Sequence, residues 1–347
     1  MESVQKLLDS NPRNALLIDK RVLDLHFQGL KIDKKRMFSA EATEEFKSLS
    51  GGFVPVLDWL ADLGLTKSDT LIVVGGGIMQ DMGAFAGCVF KRGIPWVFFP
   101  TTVLSMCDSC IGGKSGINHG KFKNQIALFS APRKVVVNPQ FLKTLSQDDV
   151  ASGLGEAMKL HITGGGFFWK RWMQEFQVAP DDTIDTTKLR ELIWGSLLIK
   201  RAVIERDEFE LDLRRSLNYG HTLGHAIESL SGFEIPHGKA VAFGMAIVNR
   251  LSVNRKFLDS KLHEELLQTF RRLAGKKAIE ILKRLNMQDL VSVLSRDKKN
   301  DGSFLNLVLI ADFGKTFFLK IQNDAKLTQE IQEAIAEVIG DTKLPYA

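Results

Sequence analysis

Thr70-Leu71-Ile72-Val73-Val74-Gly75-Gly76-Gly77-Ile78-Met79-Gln80-Asp81 decides how the first half of the chain is read. The apolar, β-branched run from Thr70 to Val74 is a buried strand. It leads straight into three glycines, and Met79 to Phe90 carries helical spacing. Trp96 to Phe99, closed by Pro100, is a further buried strand. Strand, glycine loop, helix and strand in that order mark a parallel, nucleotide-binding α/β layer. Glycines at such a turn let the backbone approach a pyrophosphate, which the helix N-terminus stabilises. The pattern is not a full G-x-G-x-x-G, because Gln80 takes the third glycine's place. Upstream, Asn14 to Asp19 reads as a strand ending in an acid, and Val54 to Leu63 has helical spacing. Asp19 is placed to bind ribose hydroxyls.

From about Leu145 the character changes. Helical periodicity runs through Asp148–Thr163, Thr187–Glu205, His221–Ser231, Lys239–Lys256, Asp259–Ala274 and Leu327–Ile339. Phe304 to Ile310 with Lys315 to Lys320 reads as a late hairpin. The predicted organisation is a Rossmann-like α/β domain over residues 1–147, followed by a domain over 148–347 that is all-helical apart from that hairpin.

The 347 residues are 44% hydrophobic and 25% charged, an ordinary globular mixture that supports two cores. The net charge of +5 comes from scattered Lys and Arg, not from blocks, which argues against nucleic acid. No stretch approaches the ~18 apolar residues of a membrane helix. The start, Met1-Glu2-Ser3-Val4-Gln5, is polar and unlike a signal peptide, so a cytoplasmic location is expected. Three cysteines fit a reducing compartment. Cys107 and Cys110 read as two small buried thiols, because no second pair completes a zinc site.

Gly220-His221-Thr222-Leu223-Gly224-His225, followed by His237-Gly238, places three of the seven histidines within 17 residues. His221 and His225 are four apart and share a helix face. Imidazole is a common ligand of zinc-like ions, and a catalytic site needs about three protein ligands. Gly155-Glu156-Ala157-Met158-Lys159 puts Glu156 and Lys159 on one helix face, where a surface salt bridge is the ordinary expectation. Glu156 also offers the hard oxygen ligand that the cluster lacks if only two histidines bind. Lys200, Arg214 and Asn218 precede the cluster and suit an anionic substrate. Thr101-Thr102 and Asp108-Ser109-Cys110-Ile111-Gly112-Gly113-Lys114-Ser115 form a second polar, glycine-rich region. Asp108 stands where a P-loop needs glycine, which excludes that motif; a glycine pair beside Lys114 still suits a phosphate or carboxylate.

Read together, these segments resemble the 3-dehydroquinate synthase and sugar-phosphate cyclase family. The stretches that carry the resemblance also include Lys91-Arg92-Gly93, Lys123-Asn124, Ser152 to Lys159 and Asp297-Lys298-Lys299. It implies an NAD-binding N-terminal domain, a helical C-terminal domain binding zinc or cobalt, and a homodimer. It implies metal ligands Glu156, His221 and His237, and gives His225 to the substrate phosphate. Further phosphate and carboxylate contacts fall to Arg92, Lys114, Asn124, Lys200, Arg214, Asn218 and one of Lys298 or Lys299. Asp108 and Lys159 are implied to touch substrate hydroxyls. Asp19, Glu44, Lys47, Gly76, Gly77, Asp81, Thr101, Thr102 and Lys123 are implied to hold NAD.

The implied activity is a lyase reaction. A seven-carbon sugar acid phosphate, 3-deoxy-arabino-heptulosonate 7-phosphate, is cyclised to 3-dehydroquinate with loss of phosphate, in the shikimate route to aromatic amino acids. The alternatives are a sister cyclase acting on sedoheptulose 7-phosphate, a glycerol dehydrogenase-like alcohol dehydrogenase, and a non-catalytic sugar-phosphate-binding relative. The chain departs from the family pattern at Gln80, where a glycine is usual. It departs again at Arg21 to Ile32, which leaves little room for the family's helix before the next strand.

Overall fold

The computed structural model describes residues 1–120, 122–176, 184–286, 289–290, 293–294 and 304–340. The chain divides into two compact units, Met1–Leu145 and Ser146–Ala347.

The first unit is built on a five-stranded parallel sheet of order β2-β1-β3-β4-β7. Its strands are β1 (Ala15–Asp19), β2 (Met37–Ala40), β3 (Leu71–Gly75), β4 (Trp96–Pro100) and the two-residue β7 (Lys134–Val135). Leu16, Leu17, Ile18 and Leu71 to Val74 are wholly buried. Continuous apolar runs of this kind belong to parallel strands covered on both faces. Helices α1 (Glu2–Ser10), α2 (Lys20–His26), α3 (Val54–Asp62) and α4 (Gly77–Val89) belong to this unit. Arg21 to Ile32 does accommodate a helix, the seven-residue α2. Asp19 caps it, accepting from the Arg21 amide at 2.9 Å. Between β4 and β7 the chain forms an antiparallel hairpin, β5 (Lys114–His119) with β6 (Phe122–Phe129).

The second unit is helical: α5 (Gln147–Gly164), α6 (Gly166–Glu175), α7 (Leu189–Ile204), α8 (His221–Leu230), α9 (His237–Asn254), α10 (Ser260–Lys283, broken at Gly275) and α11 (Ala325–Ile339). The late hairpin is present as β8 (Phe304–Asp312) and β9 (Lys315–Gln322). Helix α9 is buried along nearly its whole length and packs against α5, α8, α10, α11 and β8. An all-round apolar helix is a core helix, and α9 is the axis on which this unit is assembled. No helix among the described residues is long and apolar enough to cross a membrane. Cys107 and Cys110 are buried, whereas Cys88 is exposed.

His161 on α5 lies in this core, fully buried between Phe168 and Trp172. Its Nδ1 is 2.8 Å from the Ala157 carbonyl. Burial drives its pKa from 6.5 down to about 4. The unfolded chain therefore gains a proton near pH 6.5 that the folded protein refuses until about pH 4. Stability from this group is complete above pH 6.5 and falls as pH drops toward 4, by up to about 3 kcal/mol. Urea unfolding between pH 7.5 and 4.5 is expected to show this acid slope, and His161→Gln, which cannot titrate, is expected to flatten it.

Candidate active site

Two helix crossings set the geometry of the histidine cluster. Helix α5 meets the start of α9 with no side chain between them. A Cβ on Gly155 would lie 2.0 Å from the Gly238 carbonyl oxygen, and one on Gly238 would lie 1.7 Å from the Ser152 oxygen. The Gly238 amide donates to Ser152 Oγ at 3.1 Å. Helices α8 and α9 make the same kind of contact: a Cβ on Gly244 would lie 2.0 Å from the Gly220 oxygen. Gly220 also takes a left-handed φ of 78°, which turns the chain into α8. The residues beside these glycines, Glu156, His221 and His237, are thereby brought to one point.

Glu156 Oε1 is 3.4 Å from His221 Nε2 and 3.4 Å from His237 Nε2. Donors held about 2.1 Å from a tetrahedral ion stand about 3.4 Å apart, so this spacing fits a zinc-like cation. The other carboxylate oxygen, Oε2, accepts from Lys159 Nζ at 2.5 Å. This Glu156–Lys159 pair is buried, not the surface salt bridge that an i,i+3 spacing suggests. The two histidines are turned by their Nδ1 atoms. His221 Nδ1 lies 3.3 Å from the Tyr219 carbonyl, and His237 Nδ1 lies 2.9 Å from Glu228 Oε2. A carboxylate behind a ligating imidazole fixes its tautomer and direction.

Burial, then Lys159 and the neighbouring rings, push the His221 pKa well below 6.5, which keeps its imidazole neutral and available as a ligand. Burial acts to lower His237 too, but Glu156 and Glu228 outweigh it and push the value up to about 10. Two carboxylates at one imidazole demand a positive partner, which a proton or a metal ion can supply.

His225 is exposed, with its ring 5.3 Å from His221 and 5.5 Å from His237. Donor atoms of all three rings lie within 4.8 Å of one another. The helical unit also buries cations: Lys200 on α7 is buried, and Arg214 is 2% exposed. The Arg214 amide donates to Asp207 Oδ2 at 2.8 Å, and its guanidinium donates to the Glu208 carbonyl. Asn218 donates to Glu210 Oε1 at 2.7 Å. The turn that holds Arg214 and Asn218 packs against α5 and α7. Lys298 and Lys299 lie outside the described residues.

In the first unit, Asp19 ends β1 beside the glycine turn: a Cβ on Gly75 would lie 3.5 Å from Asp19 Cβ. Burial raises its pKa. Gly76 abuts Thr102, whereas a Cβ on Gly77 would meet nothing within 4 Å, which leaves an open cradle at the start of α4. The Thr101 amide donates to Gly75 O at 3.0 Å. Lys47 is ion-paired with Asp81, whose pKa burial raises. Glu44 pairs with Lys123 at 2.8 Å; burial opposes ionisation, but Lys123 and Asn118 hold its carboxyl below the usual range. Glu44, Lys47, Asp81 and Lys123 thus form one local network. A glycine cradle with polar and acidic groups around it fits a dinucleotide.

Asp108 is half-buried at the end of the Ser105–Ser109 turn, and Lys114 is exposed at the start of β5. Asn124 is exposed on β6 with a left-handed φ of 52°. Arg92 is exposed in a turn where Lys91, Arg92 and Gly93 all have positive φ. Three such residues in succession are strained, a state that clusters at functional sites. Lys91 Nζ donates to the Leu65 carbonyl and braces this turn.

The contacts of three residues escaped the reading of the sequence. Glu228 sits seven residues after His221, two turns along the same face of α8, a spacing that could have exposed it. Asn118 donates to Glu44 Oε2 at 2.8 Å and accepts from the Asn124 amide at 3.0 Å. Gln80 contacts Ser109. The partners of these last two are remote in sequence and left no local signal.

A parallel α/β unit with a glycine turn, joined to a helical unit with a carboxylate–dihistidine cluster, defines a metal- and dinucleotide-dependent class of enzyme. Two family models match the chain, 3-dehydroquinate synthase N-terminal over residues 37–152 and 3-dehydroquinate synthase C-terminal over 153–300. A 3-dehydroquinate synthase of Streptococcus equi subsp. equi is 37% identical over 78% of this chain and 74% of its own length. One from Campylobacter concisus is 33% identical over 95% and 93%. The chain belongs to the 3-dehydroquinate synthase family and is a lyase-type cyclase. The fold also matches a 2-deoxy-scyllo-inosose synthase complexed with carbaglucose-6-phosphate, NAD+ and Co2+, with a TM-score of 0.78, 22% identity, and coverage of 96% of this chain and 94% of that one. It matches 2-epi-5-epi-valiolone synthase from Streptomyces hygroscopicus subsp. jinggangensis 5008, with NAD+ and Zn2+ bound, at a TM-score of 0.75 and 21% identity over 94% and 91%.

His237→Ala is expected to abolish zinc uptake measured by metal analysis. His225→Ala is expected to leave uptake nearly intact, and Glu228→Gln to weaken it about 10- to 100-fold. Equal loss in the two histidine variants would overturn this division of labour. Gly238→Ala is expected to force α5 and α9 apart, lowering stability by about 2–3 kcal/mol in denaturant titration and reducing zinc affinity with it.

Proposed function

We propose that this protein is a 3-dehydroquinate synthase that uses NAD and a zinc or cobalt ion to cyclise 3-deoxy-arabino-heptulosonate 7-phosphate to 3-dehydroquinate, releasing phosphate. The observation that carries the reading is the placement of Glu156 Oε1 at 3.4 Å from both His221 Nε2 and His237 Nε2, in a unit that also buries Lys200 and Arg214. Family membership supports it.

Glu156, His221 and His237 would hold the metal. The glycine cradle, with Asp19, Glu44, Lys47, Asp81, Thr101, Thr102 and Lys123, would hold NAD. When bound, NAD would supply reversible hydride exchange at a ring carbon, and the metal would supply Lewis acidity that makes the adjacent C–H acidic. The chain's own residues bind and orient. Lys159, held by the Glu156 carboxylate, presents an ammonium to substrate hydroxyls, and Asp108 accepts from them. Arg92, Lys114, Asn124, Asn218 and His225 would donate hydrogen bonds to the phosphate, which takes up the proton of the acidified C–H as it leaves. Lys200, Arg214 and one of Lys298 or Lys299 add positive charge for the substrate carboxylate and phosphate. Ring opening and the closing aldol step then need orientation more than chemistry.

The same reading places the enzyme in the shikimate route to aromatic amino acids, as a cytoplasmic homodimer. The test is a phosphate-release assay with NAD and zinc or cobalt on the seven-carbon acid phosphate and on sedoheptulose 7-phosphate. Release from the acid phosphate is expected. Release only from sedoheptulose 7-phosphate would overturn the proposal in favour of a sister cyclase.

A further inference from the structure

We propose that Gln80 is a positioning residue that clamps the Asp108 turn to the glycine turn of the dinucleotide cradle. The inference rests on the reading of Asp108 as a substrate-contacting group.

Gln80 stands where a glycine is usual, in the first turn of α4, and is 3% exposed. Both ends of its amide are committed. Nε2 donates to the Ser109 carbonyl at 2.7 Å, and the Ser109 hydroxyl donates to Gln80 Oε1 at 2.6 Å. Both heads of this buried amide are turned to Ser109, so its effect on the site passes through Ser109. Two bonds to one residue fix that residue's rotation as well as its position, and Asp108 is its immediate neighbour.

The other end of the same segment is tied down independently. The Thr101 amide donates to the Gly75 carbonyl at 3.0 Å and Thr102 lies against Gly76, while Thr102 and Ser105 exchange two bonds that stiffen the segment itself. The segment from Thr102 to Ser109 is therefore anchored at both ends to the cradle, and Asp108 hangs from the Gln80 anchor. A glycine at position 80 could supply neither bond.

The expected consequence is a loss confined to substrate handling. In the NAD- and metal-loaded enzyme, Gln80→Leu, one atom shorter but of similar bulk, removes both bonds. It is expected to lower kcat/KM for phosphate release about tenfold, a size typical of small misplacements of a catalytic constellation. NAD affinity by fluorescence is expected to stay within about twofold. Ser109→Ala removes one bond and is expected to give part of the loss, and the double variant no more than Gln80→Leu alone. Amide hydrogen exchange over residues 105–112 is expected to quicken in Gln80→Leu, a readout that needs no turnover. Unchanged exchange, unchanged kcat/KM, or an equal loss of NAD affinity would each overturn the proposal. If Gln80→Leu does not fold, Ser109→Ala decides, with wild-type kcat/KM and wild-type exchange as the overturning result. A wild-type enzyme that releases no phosphate would count against the functional reading alone, because the exchange measurement still decides whether the clamp exists.

Discussion

The carboxylate–histidine cluster depends on backbone meeting backbone. Side chains on three separate helices converge only if their axes come closer than side chains ordinarily permit. Gly155 against Gly238, and Gly220 against Gly244, remove the side chains at the two crossings. Helix α9 takes part in both, so its burial and the placement of His237 are consequences of the same packing. The apolar contacts of α9 supply the stability, and the glycines set the distance.

Charge then does what packing cannot. Glu156 divides its two oxygens between Lys159 and the histidine pair, and Glu228 turns His237 from behind. Each imidazole is held at Nδ1 so that Nε2 faces Glu156. Lys159 sets a positive charge against the buried Glu156 carboxylate. In the first unit the same logic is spread over surface and core, where Lys47, Asp81, Glu44, Lys123 and Asn118 neutralise and orient one another beside the cradle.

Elements with a strong apolar period were legible before any coordinates. The strand through Val73, the glycine turn, α5, α8 and the late hairpin lie within a few residues of their expected limits. Elements without such a period were not. Helix α2 buries none of its residues and is defined by its Asp19 cap. Helix α6 begins at the last of three consecutive glycines, Gly164 to Gly166, and Trp169 and Trp172 bury and hold it. In the β5–β6 hairpin the second strand is mostly exposed and shows no alternation. At the site, residue type and spacing pointed to the histidines and Glu156. Roles set by distant partners stayed hidden: Asn118 reaches Glu44 across 74 positions and Gln80 reaches Ser109 across 29.

The two glycine crossings also divide the ways in which this centre can change over time. Positions 155, 220, 238 and 244 are closed to even one methyl group, so the three helices cannot drift apart by gradual substitution without losing the cluster. The atoms behind the ligands are under no such restriction. Lys159 and Glu228 meet their partners through side chains alone. A lineage that retuned this centre would therefore change Glu228, since Lys159 also serves the substrate in the proposed reaction, while the scaffold that carries Glu156, His221 and His237 stayed rigid from one descendant to the next.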